Sequence, residues 1–468
     1  MQDTDVAIIG AGTAGMAAYR TVKTAGRRAL LIESGRYGTT CARVGCMPSK
    51  LLIAAAEAAH ATSRQPAFGI RPAGPPAVDG NAVMARVRSE RDRFAGFVIE
   101  DVEAFPAADK IRGRARFVDD HTLQVGEASV VRAPRVVIAT GSSPAYPAAW
   151  SALGDRLIVN DDVFDWNALP ESVAVFGPGI IGLEIGQALH RLGVRVRIFG
   201  RGGGIGPISD PALLDSARRI FGAELAMESN AQAEVARDGD RVVVTYRGPD
   251  GGAAGEQFDY LLAATGRRPN LAGLGLERTS LSLDTYGVPQ FDRQTMQCGR
   301  SSIFIAGDVD NELELLHEAA DEGRIAGENA ARYPDVRPGL RRAGLAIVFT
   351  DPQIAIVGGG WRDAQPVPHV TGEVSFRNQG RSRVMLRNQG LLHVYAAIED
   401  CAFVGAEMIG PDAEHIGHLL AWALQMKLTV HQMLDLPFYH PVVEEGLRTA
   451  LRDARTKLAA AQAERRAA

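Results

Sequence analysis

Short runs of apolar residues, interrupted by glycines and by polar helical stretches, recur along the chain and predict buried parallel strands. Two such runs occupy residues 5–10 and 28–33, and two more occupy residues 172–177 and 194–199. Continuous apolar runs of about four to eight residues are typical of strands that are covered on both faces. The chain therefore contains two similar units, each with the order strand, glycine turn, helix and strand.

Other patterns predict different structures between and after these units. Residues 65–80 are rich in proline, alanine and glycine and predict a loop, whereas apolar residues recur at broadly helical spacing across residues 81–105. From about Ala343, strand-like runs at residues 345–349 and 391–397 precede the helical runs. This order is typical of an α+β domain. The helical runs are residues 413–427 and 430–434.

A glycine triplet follows the first strand of each unit. Glycines at this spacing let the backbone turn sharply and approach a pyrophosphate at the N-terminus of the next helix. In the first unit, Glu33 ends the second strand 23 residues after Gly10, where its carboxylate can accept hydrogen bonds from ribose hydroxyls. A glycine turn with a helix-capping acid is the simpler structural alternative. The triplets are Gly10, Gly12 and Gly15, and Gly177, Gly179 and Gly182.

Two dinucleotide units in one chain predict two cofactors. A flavin and a nicotinamide form the natural pair, because a flavin can exchange hydride with a nicotinamide and electrons with thiols. The chemistry of the remaining motifs therefore decides which electron acceptor this protein serves.

A closely spaced cysteine pair is the candidate redox centre. Cys41 and Cys46 lie just ahead of Pro48 and an alanine-rich apolar run at residues 51–61. Proline favours the first position of a helix, so the pattern predicts a helix that begins at Pro48. A thiol near that helix N-terminus is favoured as the thiolate, the form that acts as nucleophile and electron donor. The alternative is a pair of inert packing residues.

A histidine near the C-terminal end is the candidate acid–base residue. His440 precedes Pro441 and the acidic residues Glu444 and Glu445. A carboxylate beside a histidine stabilises the charged imidazole and thereby supports general base chemistry. By spacing, either Glu444 or Glu445 could be the carboxylate that contacts His440. A helix boundary with no catalytic role is the alternative interpretation.

Composition narrows the class of protein. The 468 residues are enough for about three domains, and 51 basic against 55 acidic residues argue against nucleic acid as a main partner. The four cysteines do not form a secreted disulphide framework. No apolar run reaches about 18 residues, and no signal segment is evident, so we expect a cytoplasmic protein without a membrane span. No metal site is predicted.

The order of the motifs resembles the flavin-dependent pyridine nucleotide-disulphide oxidoreductases, and within them the dihydrolipoyl dehydrogenases. Six separated motifs carry the resemblance over essentially the whole chain. They are the first glycine triplet, Cys41-x4-Cys46-x-Pro48-Ser49-Lys50, Ala139-Thr140-Gly141, the second triplet with Glu184, Gly307-Asp308, and His440-Pro441-x3-Glu445.

The resemblance implies an α/β fold with two Rossmann-like dinucleotide-binding domains. It places the FAD-binding domain at residues 1–145 and the NAD(P)-binding domain at residues 146–270. A central segment, residues 271–342, completes the FAD domain, and residues 343–468 form an α+β dimerisation domain. The expected assembly is a homodimer.

The resemblance also assigns residues to sites. Cys41 and Cys46 form the redox-active disulphide of the resting enzyme, with Cys46 nearer the flavin, and His440 of the partner subunit is the acid–base residue that Glu445 orients. Lys50 lies against the flavin ring and pairs with Glu184. The FAD set is Gly10, Gly12, Gly15, Glu33, Thr40, Lys50, Thr140, Gly141, Asp308 and His317. The NAD(P) set is Gly177, Gly179, Gly182, Glu184, Arg201 and Gly266.

Three functions agree with this pattern. The first is oxidation or reduction of a small dithiol or a lipoyl domain, as in dihydrolipoyl dehydrogenase. The second is NADPH-dependent reduction of another small disulphide, as in glutathione reductase, for which Arg20 and Arg324 stand at positions that can bind substrate carboxylates. The third is a thiol-independent transhydrogenase, against which the cysteine pair argues. The sequence has no cysteine after Cys401, which argues against a mercuric-ion reductase.

Three residues depart from the family pattern near the expected substrate channel. They are Thr39, where glycine is common, Arg43, where asparagine is usual, and Tyr439, where a small residue is typical. These departures weaken the lipoyl assignment more than the redox assignment.

The second dinucleotide unit lacks the ribose carboxylate of the first. Glu33 lies 23 residues after Gly10 in the first unit. The residue at the same distance after Gly177 in the second unit is Gly200, and Arg201 follows it. A carboxylate there would repel the extra phosphate of NADP, whereas an arginine can pair with it. The sequence therefore predicts that NADP(H) is accepted.

Overall fold

The computed structural model describes residues 1–71, 74, 77–248 and 251–467, so parts of the predicted loop at residues 65–80 lie outside the described residues. The described strands, in chain order, are β1 (Gln2–Asp3), β2 (Val6–Ile9), β3 (Ala29–Glu33), β4 (Lys110–Arg112), β5 (Ala115–Asp119), β6 (Thr122–Val125), β7 (Ser129–Arg132), β8 (Val136–Ile138), β9 (Ser142–Pro144), β10 (Leu157–Ile158), β11 (Ser172–Phe176), β12 (Arg195–Phe199), β13 (Ala226–Glu228), β14 (Ala233–Asp238), β15 (Arg241–Arg247), β16 (Ala253–Phe258), β17 (Tyr260–Ala263), β18 (Arg267–Pro269), β19 (Ile303–Ile305), β20 (Leu345–Val348), β21 (Gln353–Val357), β22 (His369–Ser375), β23 (Leu391–Ala397) and β24 (Phe403–Gly410).

Helices separate and cover these strands. The described α-helices are α1 (Thr13–Thr24), α2 (Thr40–Val44), α3 (Cys46–Arg64), α4 (Gly80–Glu103), α5 (Asn160–Val163), α6 (Ile180–Arg191), α7 (Pro211–Glu224), α8 (Leu316–Arg332), α9 (Gly360–Ala364), α10 (Gly380–Val384), α11 (Ala413–Gln425), α12 (Val430–Leu434) and α13 (Glu445–Ala467).

The first unit is a parallel sheet with the strand order β19-β8-β2-β3-β4. Both faces of β2 are buried, as its unbroken apolar run predicts. Val6 and Ile8 pack with residues of α1 and α8 on one face. Ala7 and Ile9 pack on the other face with Phe117 of the sheet β1-β7-β6-β5. The segment after β18 thus contributes β19 and α8 to the first unit.

The second unit repeats this plan with the parallel order β10-β17-β11-β12-β13. Val173 and Val175 of β11 pack with α6, with α7 and with Leu52 of α3. The opposite face, which includes Phe176, packs against the antiparallel sheet β14-β15-β16. Because α3 belongs to the first unit and packs in the core of the second, it brings the cysteine segment beside α6.

The two crossings between these units lie side by side. The chain leaves the first unit through β9 and returns through β18, and these strands pair antiparallel with Arg267 opposite Pro144.

The third unit is an antiparallel sheet of order β20-β21-β24-β23-β22. Leu392 and Val394 of β23 pack with residues of α11 and α13. The α/β class with a C-terminal α+β part is confirmed, while the exact domain limits stay predictions.

One local prediction was wrong in detail. The helix after the cysteine pair begins at Cys46 and not at Pro48, because Gly45 separates it from the short helix α2. The helical spacing at residues 81–105 corresponds to α4, whose apolar residues are partly buried in one chain. Val87 and Val102 are fully buried, but 54% of Phe97 is exposed.

A buried polar cluster joins the second unit to the third. Asp210, the N-cap of α7, accepts hydrogen bonds from the N–H groups of Ala212 and Leu213. Its other oxygen lies 2.7 Å from His393 Nδ1 and accepts from the Tyr395 hydroxyl at 2.9 Å. Burial acts to raise the pKa of Asp210, but these hydrogen bonds outweigh it and lower the pKa overall. The ionised carboxylate therefore stabilises this domain contact.

We expect Asp210→Asn to lower the free energy of unfolding by about 1–3 kcal/mol, because His393 and Tyr395 lose a charged acceptor in a buried place. The folded-state pKa of Asp210 lies below its unfolded value, so its contribution is present above the ordinary carboxyl range and is lost as pH falls through the folded pKa. The variant should therefore lose stability near neutral pH and have a flatter acid limb. Urea unfolding at several pH values measures both effects.

Glu373→Gln is the matched control for this variant. Glu373 lies 3.7 Å from His393 Nε2, but 63% of its side chain is exposed, so its charge is screened by solvent. An equal loss of stability in both variants would contradict the role assigned to Asp210.

Candidate active site

The cysteine pair lies at the junction of two helices. Cys41 is the second residue of α2, and Cys46 is the first residue of α3, with Gly45 between the helices. Thr39 caps α2, because its hydroxyl accepts the N–H of Ala42 at 3.2 Å. Both cysteines are free thiols in this structure, with Cys41 half-buried and Cys46 exposed. The structure is thus that of the dithiol form, and the predicted disulphide of the resting enzyme stays a prediction.

The two thiols have opposite acidities. A hydrogen bond from Cys41 is the main influence that lowers the pKa of Cys46 to about 7, with a further contribution from Lys50, while burial and Glu184 oppose the shift. The same hydrogen bond, together with burial, raises the pKa of Cys41 well above its ordinary value. Cys46 is therefore the thiol that ionises as pH rises through neutrality, and Cys41 stays protonated and donates to it. This division agrees with the position of Cys46 at a helix N-terminus.

Lys50 and Glu184 form an ion pair between α3 and α6. The distance from Lys50 Nζ to Glu184 Oε2 is 2.7 Å, and only 4% of the Glu184 side chain is exposed. The other oxygen, Oε1, accepts the N–H of Phe349 at 2.9 Å. The ammonium group of Lys50 also lies 4.5 Å from the centre of the Phe349 ring. The pairing that the resemblance implied is present, and Phe349 is a participant that the sequence did not reveal.

The first glycine turn has the shape that a dinucleotide requires. Gly10 has a φ of +111°, and a side chain there would overlap the carbonyl oxygen of Ala139. Gly15 lies against the carbonyl of Gly10 and has no room for a side chain either, whereas Gly12 faces open space. Glu33 accepts the N–H of Ala11 at 2.8 Å, which fixes its carboxylate beside the turn. These residues leave a backbone cradle at the N-terminus of α1 that fits the pyrophosphate of FAD.

The carboxyl ends of β8 and β19 bring the other FAD candidates to the same edge of the sheet. Thr140 and Gly141 follow β8, and the Thr140 hydroxyl is buried without a partner in the described part of the chain. Asp308 follows β19 and accepts a hydrogen bond from the Ser142 hydroxyl at 2.9 Å. The orphaned hydroxyl and the nearby carboxylate fit a hydroxylated ligand such as FAD.

Two FAD candidates lie further out. Thr40 is the exposed first residue of α2. His317 is the second residue of α8, has 48% of its side chain exposed and lies 4.0 Å from Glu318. Neither side chain forms a hydrogen bond with the glycine turn in the described residues.

The second glycine turn repeats the first. Gly177 has a φ of +109° and lies against the carbonyl of Ala264, Gly182 lies against the carbonyl of Gly177, and Gly179 faces open space. Gly266 follows β17 at the same edge of the sheet, with a φ of +113°. The cradle at the N-terminus of α6 therefore fits a second dinucleotide.

The ribose end of this second cradle differs from the first. A side chain at Gly200 would lie 2.6 Å from Pro178 Cγ and 2.8 Å from the Ser229 carbonyl oxygen, so the fold itself excludes a carboxylate there. Arg201 is exposed and forms no ion pair within the described residues. Arg197 is committed to Glu228 and Glu256 at 3.4 and 2.7 Å, respectively. Of these two arginines, Arg201 is the one without an acidic partner in the described part of the chain.

The candidate acid–base residue lies on the third unit. His440 Nδ1 is 2.9 Å from Glu445 Oε2, and Glu445 also binds Arg448 at 2.9 Å. Glu445 therefore orients the histidine, and Glu444 does not. The side chain of His440 is 80% exposed, and in the described part of one chain no hydrogen bond links it to Cys41 or Cys46.

The other singled-out residues have different surroundings. Arg20 and Arg324 line one cavity of about 660 Å³ between α1 and α8, but Arg20 pairs with Asp101 and Arg324 pairs with Glu328. The stem of Arg43 packs against Gly38. The Tyr439 side chain, beside His440, is 78% exposed.

Comparison with known families identifies the chain. A family described as pyridine nucleotide-disulphide oxidoreductase matches residues 4–323, and its dimerisation domain matches residues 345–451. The chain belongs to this family. The family supports binding of FAD and a pyridine nucleotide, and its dimerisation domain supports a homodimer. The resemblance read from the motifs is thereby confirmed.

Proteins named for different activities are similar to this oxidoreductase along almost its whole length. Mercuric reductase from Acidithiobacillus ferrooxidans is 30% identical over 96% of this chain and 82% of its own. Dihydrolipoyl dehydrogenase from Chlamydia muridarum is 29% identical over 94% of each chain. The crystal structure of LpdA from Mycobacterium tuberculosis has a TM-score of 0.81 at 25% identity and covers 97% of this chain and 99% of its own. Across the described residues, no helix is long and apolar enough to cross a membrane.

In the reduced protein, iodoacetamide should alkylate Cys46 first, with a pH midpoint of about 7, since the thiolate is the reactive form. Cys41→Ala should raise that midpoint because it removes the hydrogen bond to the thiolate, and Lys50→Met should raise it by removing a positive charge. Peptide mapping by mass spectrometry at a series of pH values provides the measurement.

The control is Lys23→Met, which removes a lysine of α1 that pairs with Asp109. This variant should leave the midpoint unchanged. Faster labelling of Cys41 than of Cys46 would reverse the assignment of the two thiols.

Proposed function

We propose that this oxidoreductase passes electrons between a nicotinamide and a small dithiol or disulphide through Cys41 and Cys46, and that its substrate is of the dihydrolipoyl type. The single observation that carries the proposal is the cysteine pair at the junction of α2 and α3, where a hydrogen bond from Cys41 favours a thiolate at Cys46 and keeps the proton on Cys41. A thiol-independent transhydrogenase would need no such division.

The oxidation of a dithiol begins at His440 of the partner subunit. In this proposal, its imidazole takes a proton from one substrate thiol, and Glu445 stabilises the resulting charge. The substrate thiolate attacks the sulphur of Cys41, so the Cys41–Cys46 bond breaks and Cys46 leaves as a thiolate. The second substrate thiol then attacks the sulphur of the first, which forms the substrate disulphide and releases Cys41.

The flavin supplies two-electron chemistry when it is bound, since it can accept the electron pair of Cys46 and exchange hydride with a nicotinamide. The residues that would hold it are the first glycine turn, Glu33, Thr140 and Asp308. Lys50 keeps a positive charge beside Cys46, which favours the thiolate before the electron pair leaves. Glu184 holds Lys50 in that place.

The ion pairs of two arginines support the lipoyl class over the glutathione-reductase alternative. Arg20 and Arg324, the candidates for binding glutathione carboxylates, are already paired with acids. Charged substrate groups would therefore have to displace existing ion pairs.

The FAD-loaded protein should reduce lipoamide faster than glutathione disulphide, and should transfer little hydride between nicotinamides when no disulphide is present. His440→Ala should slow the thiol step roughly a hundredfold and leave flavin reduction by the nicotinamide intact, because only the thiol step needs the base. Stopped-flow absorbance follows both half-reactions.

Glu444→Gln serves as the neighbouring control and should behave like the wild type, since Glu445 is the acid that contacts His440. The proposal would be contradicted if His440→Ala lowered the rates of both half-reactions equally. It would also be contradicted if transhydrogenation were the fastest activity of the wild type.

We also propose that the second site accepts NADP(H). Its support is the exclusion of any side chain at Gly200 together with the exposed, unpaired Arg201 among the described residues. A guanidinium group can bind the 2′-phosphate of NADP, and no carboxylate stands at the strand end to repel it.

Arg201→Ala should lower kcat/KM for NADPH about tenfold while leaving that for NADH unchanged, since one charge-assisted hydrogen bond to the phosphate is lost. Steady-state kinetics with both nicotinamides test this. Arg195→Ala, which removes another exposed arginine from β12, is the control. A strong wild-type preference for NADH that Arg201→Ala does not alter would refute the proposal.

A further inference from the structure

Two buried carboxyl groups lie behind the turn that carries Asp308. Asp310 is 4% exposed and Glu322 is 1% exposed. Asp310 ends the short 3-10 turn Asp308–Asp310, and Glu322 lies on α8. Glu322 accepts the N–H of Gly307 at 2.8 Å, so it is tied to the residue directly before Asp308. The two carboxyl groups thus contact the same flavin-site turn from its buried side.

The hydrogen bonds of this pair are unequal. Glu322 accepts from Gly307 with one oxygen and from Arg341 Nη1 at 2.9 Å with the other. Asp310 accepts the N–H of Glu312 at 3.0 Å with Oδ1, while its Oδ2 is buried without a donor in the described residues. The two side chains are close enough to share a hydrogen bond when one of them is protonated. Two ionised carboxylates at that separation would repel each other at high cost in a buried place. Asp310 is therefore the member that carries a proton, which it donates to Glu322.

The charges around the pair favour this protonated state. Arg341 is shared between Glu322 and Glu318, both on α8. If Asp310 were ionised, this single guanidinium would face three buried acids. Burial first, and then the charge of Glu322, raise the pKa of Asp310 to about 8, and Glu312 adds a further negative charge.

Two further titratable groups, Glu312 and His317, lie at the rim of this cluster. Glu312 is offset by Arg293 at 3.3 Å, and His317 lies 4.0 Å from Glu318. The rim therefore does not supply a second buried cation for Asp310.

We propose that Asp310 is a positioning residue of the flavin site, which holds the turn Gly307-Asp308 closed through a proton shared with Glu322 and loosens it when that proton is lost. The inference rests on the proposed function only in requiring that FAD binds at Asp308. Since the folded-state pKa is raised, the closed turn is fully stable in acid, weakens as pH rises above the ordinary carboxyl range, and is repelled by two full charges above a pH of about 8.

The test is the rate at which FAD leaves the FAD-loaded protein, followed by the fluorescence of the released flavin as a function of pH. In the wild type the rate should rise about tenfold between pH values of about 7 and 9.5, with a midpoint near 8. In Asp310→Asn the amide still donates to Glu322 but does not titrate, so the rate should stay within about twofold over that range.

Asp321→Asn is the matched control. Asp321 is a buried acid beside Glu322 in the sequence, but it pairs with Arg342 and should keep the wild-type pH step. Asp310→Ala is a second variant in case the first does not fold; it should release FAD faster than the wild type below a pH of about 8, and without a step.

Each result decides between the proposals. A pH step that survives in Asp310→Asn or Asp310→Ala, or a wild type without a step, overturns the role of Asp310 while leaving the flavin site standing. Failure of the wild type to bind FAD at any pH overturns the flavin site itself, and this inference with it.

Discussion

One buried carboxylate, that of Glu184, touches all three units of the chain. It comes from α6 of the second unit, it holds Lys50 of the first unit at 2.7 Å, and it accepts the N–H of Phe349 beside the third unit. Removing one partner of a buried ion pair costs about 3–5 kcal/mol, because the remaining charge is left without compensation. The same lysine lowers the pKa of Cys46. The contact that unites the units therefore also contributes to the acidity of the thiol, beside the larger effect of the Cys41 hydrogen bond.

The duplicated glycine turns are the most constrained part of the backbone. Gly10 and Gly177 have nearly the same positive φ, and each lies against the carbonyl of a neighbouring strand end, at Ala139 and Ala264. The two turns diverge one strand later, where Glu33 ends β3 but Gly200 follows β12 against Pro178. A shared backbone thus carries two ligands that differ in what their ribose requires.

Features that are local in sequence could be predicted, whereas those that depend on distant packing could not. The glycine turns, the strand ends and the cysteine pair are local, so the fold class and most candidate residues followed from their order. The helix start predicted at Pro48 was wrong, because proline is tolerated at the third helical position as well as at the first. The break before α3 is at Gly45. No pattern linked Phe349 to Glu184, since 165 residues separate them.

The choice between Glu444 and Glu445 depends on the chain's course before α13, which spacing alone does not fix. His440 presents the same limit in another form, because the proposed mechanism pairs it with cysteines of a second chain. The buried pair of Asp310 and Glu322 likewise forms only when α8 packs behind the turn after β19.

The pairing of β9 with β18 makes the second dinucleotide unit an insertion in the first. Its entry at Pro144 and its exit at Arg267 lie opposite each other, so the host sheet needs only two adjacent attachment points. A segment with such neighbouring ends can diverge or be exchanged as a module without re-threading the strands of its host. The residues that select the coenzyme can accordingly change without altering the thiol site. At the interface of α3 with α6, however, a change in one unit must remain compatible with the packing of the other.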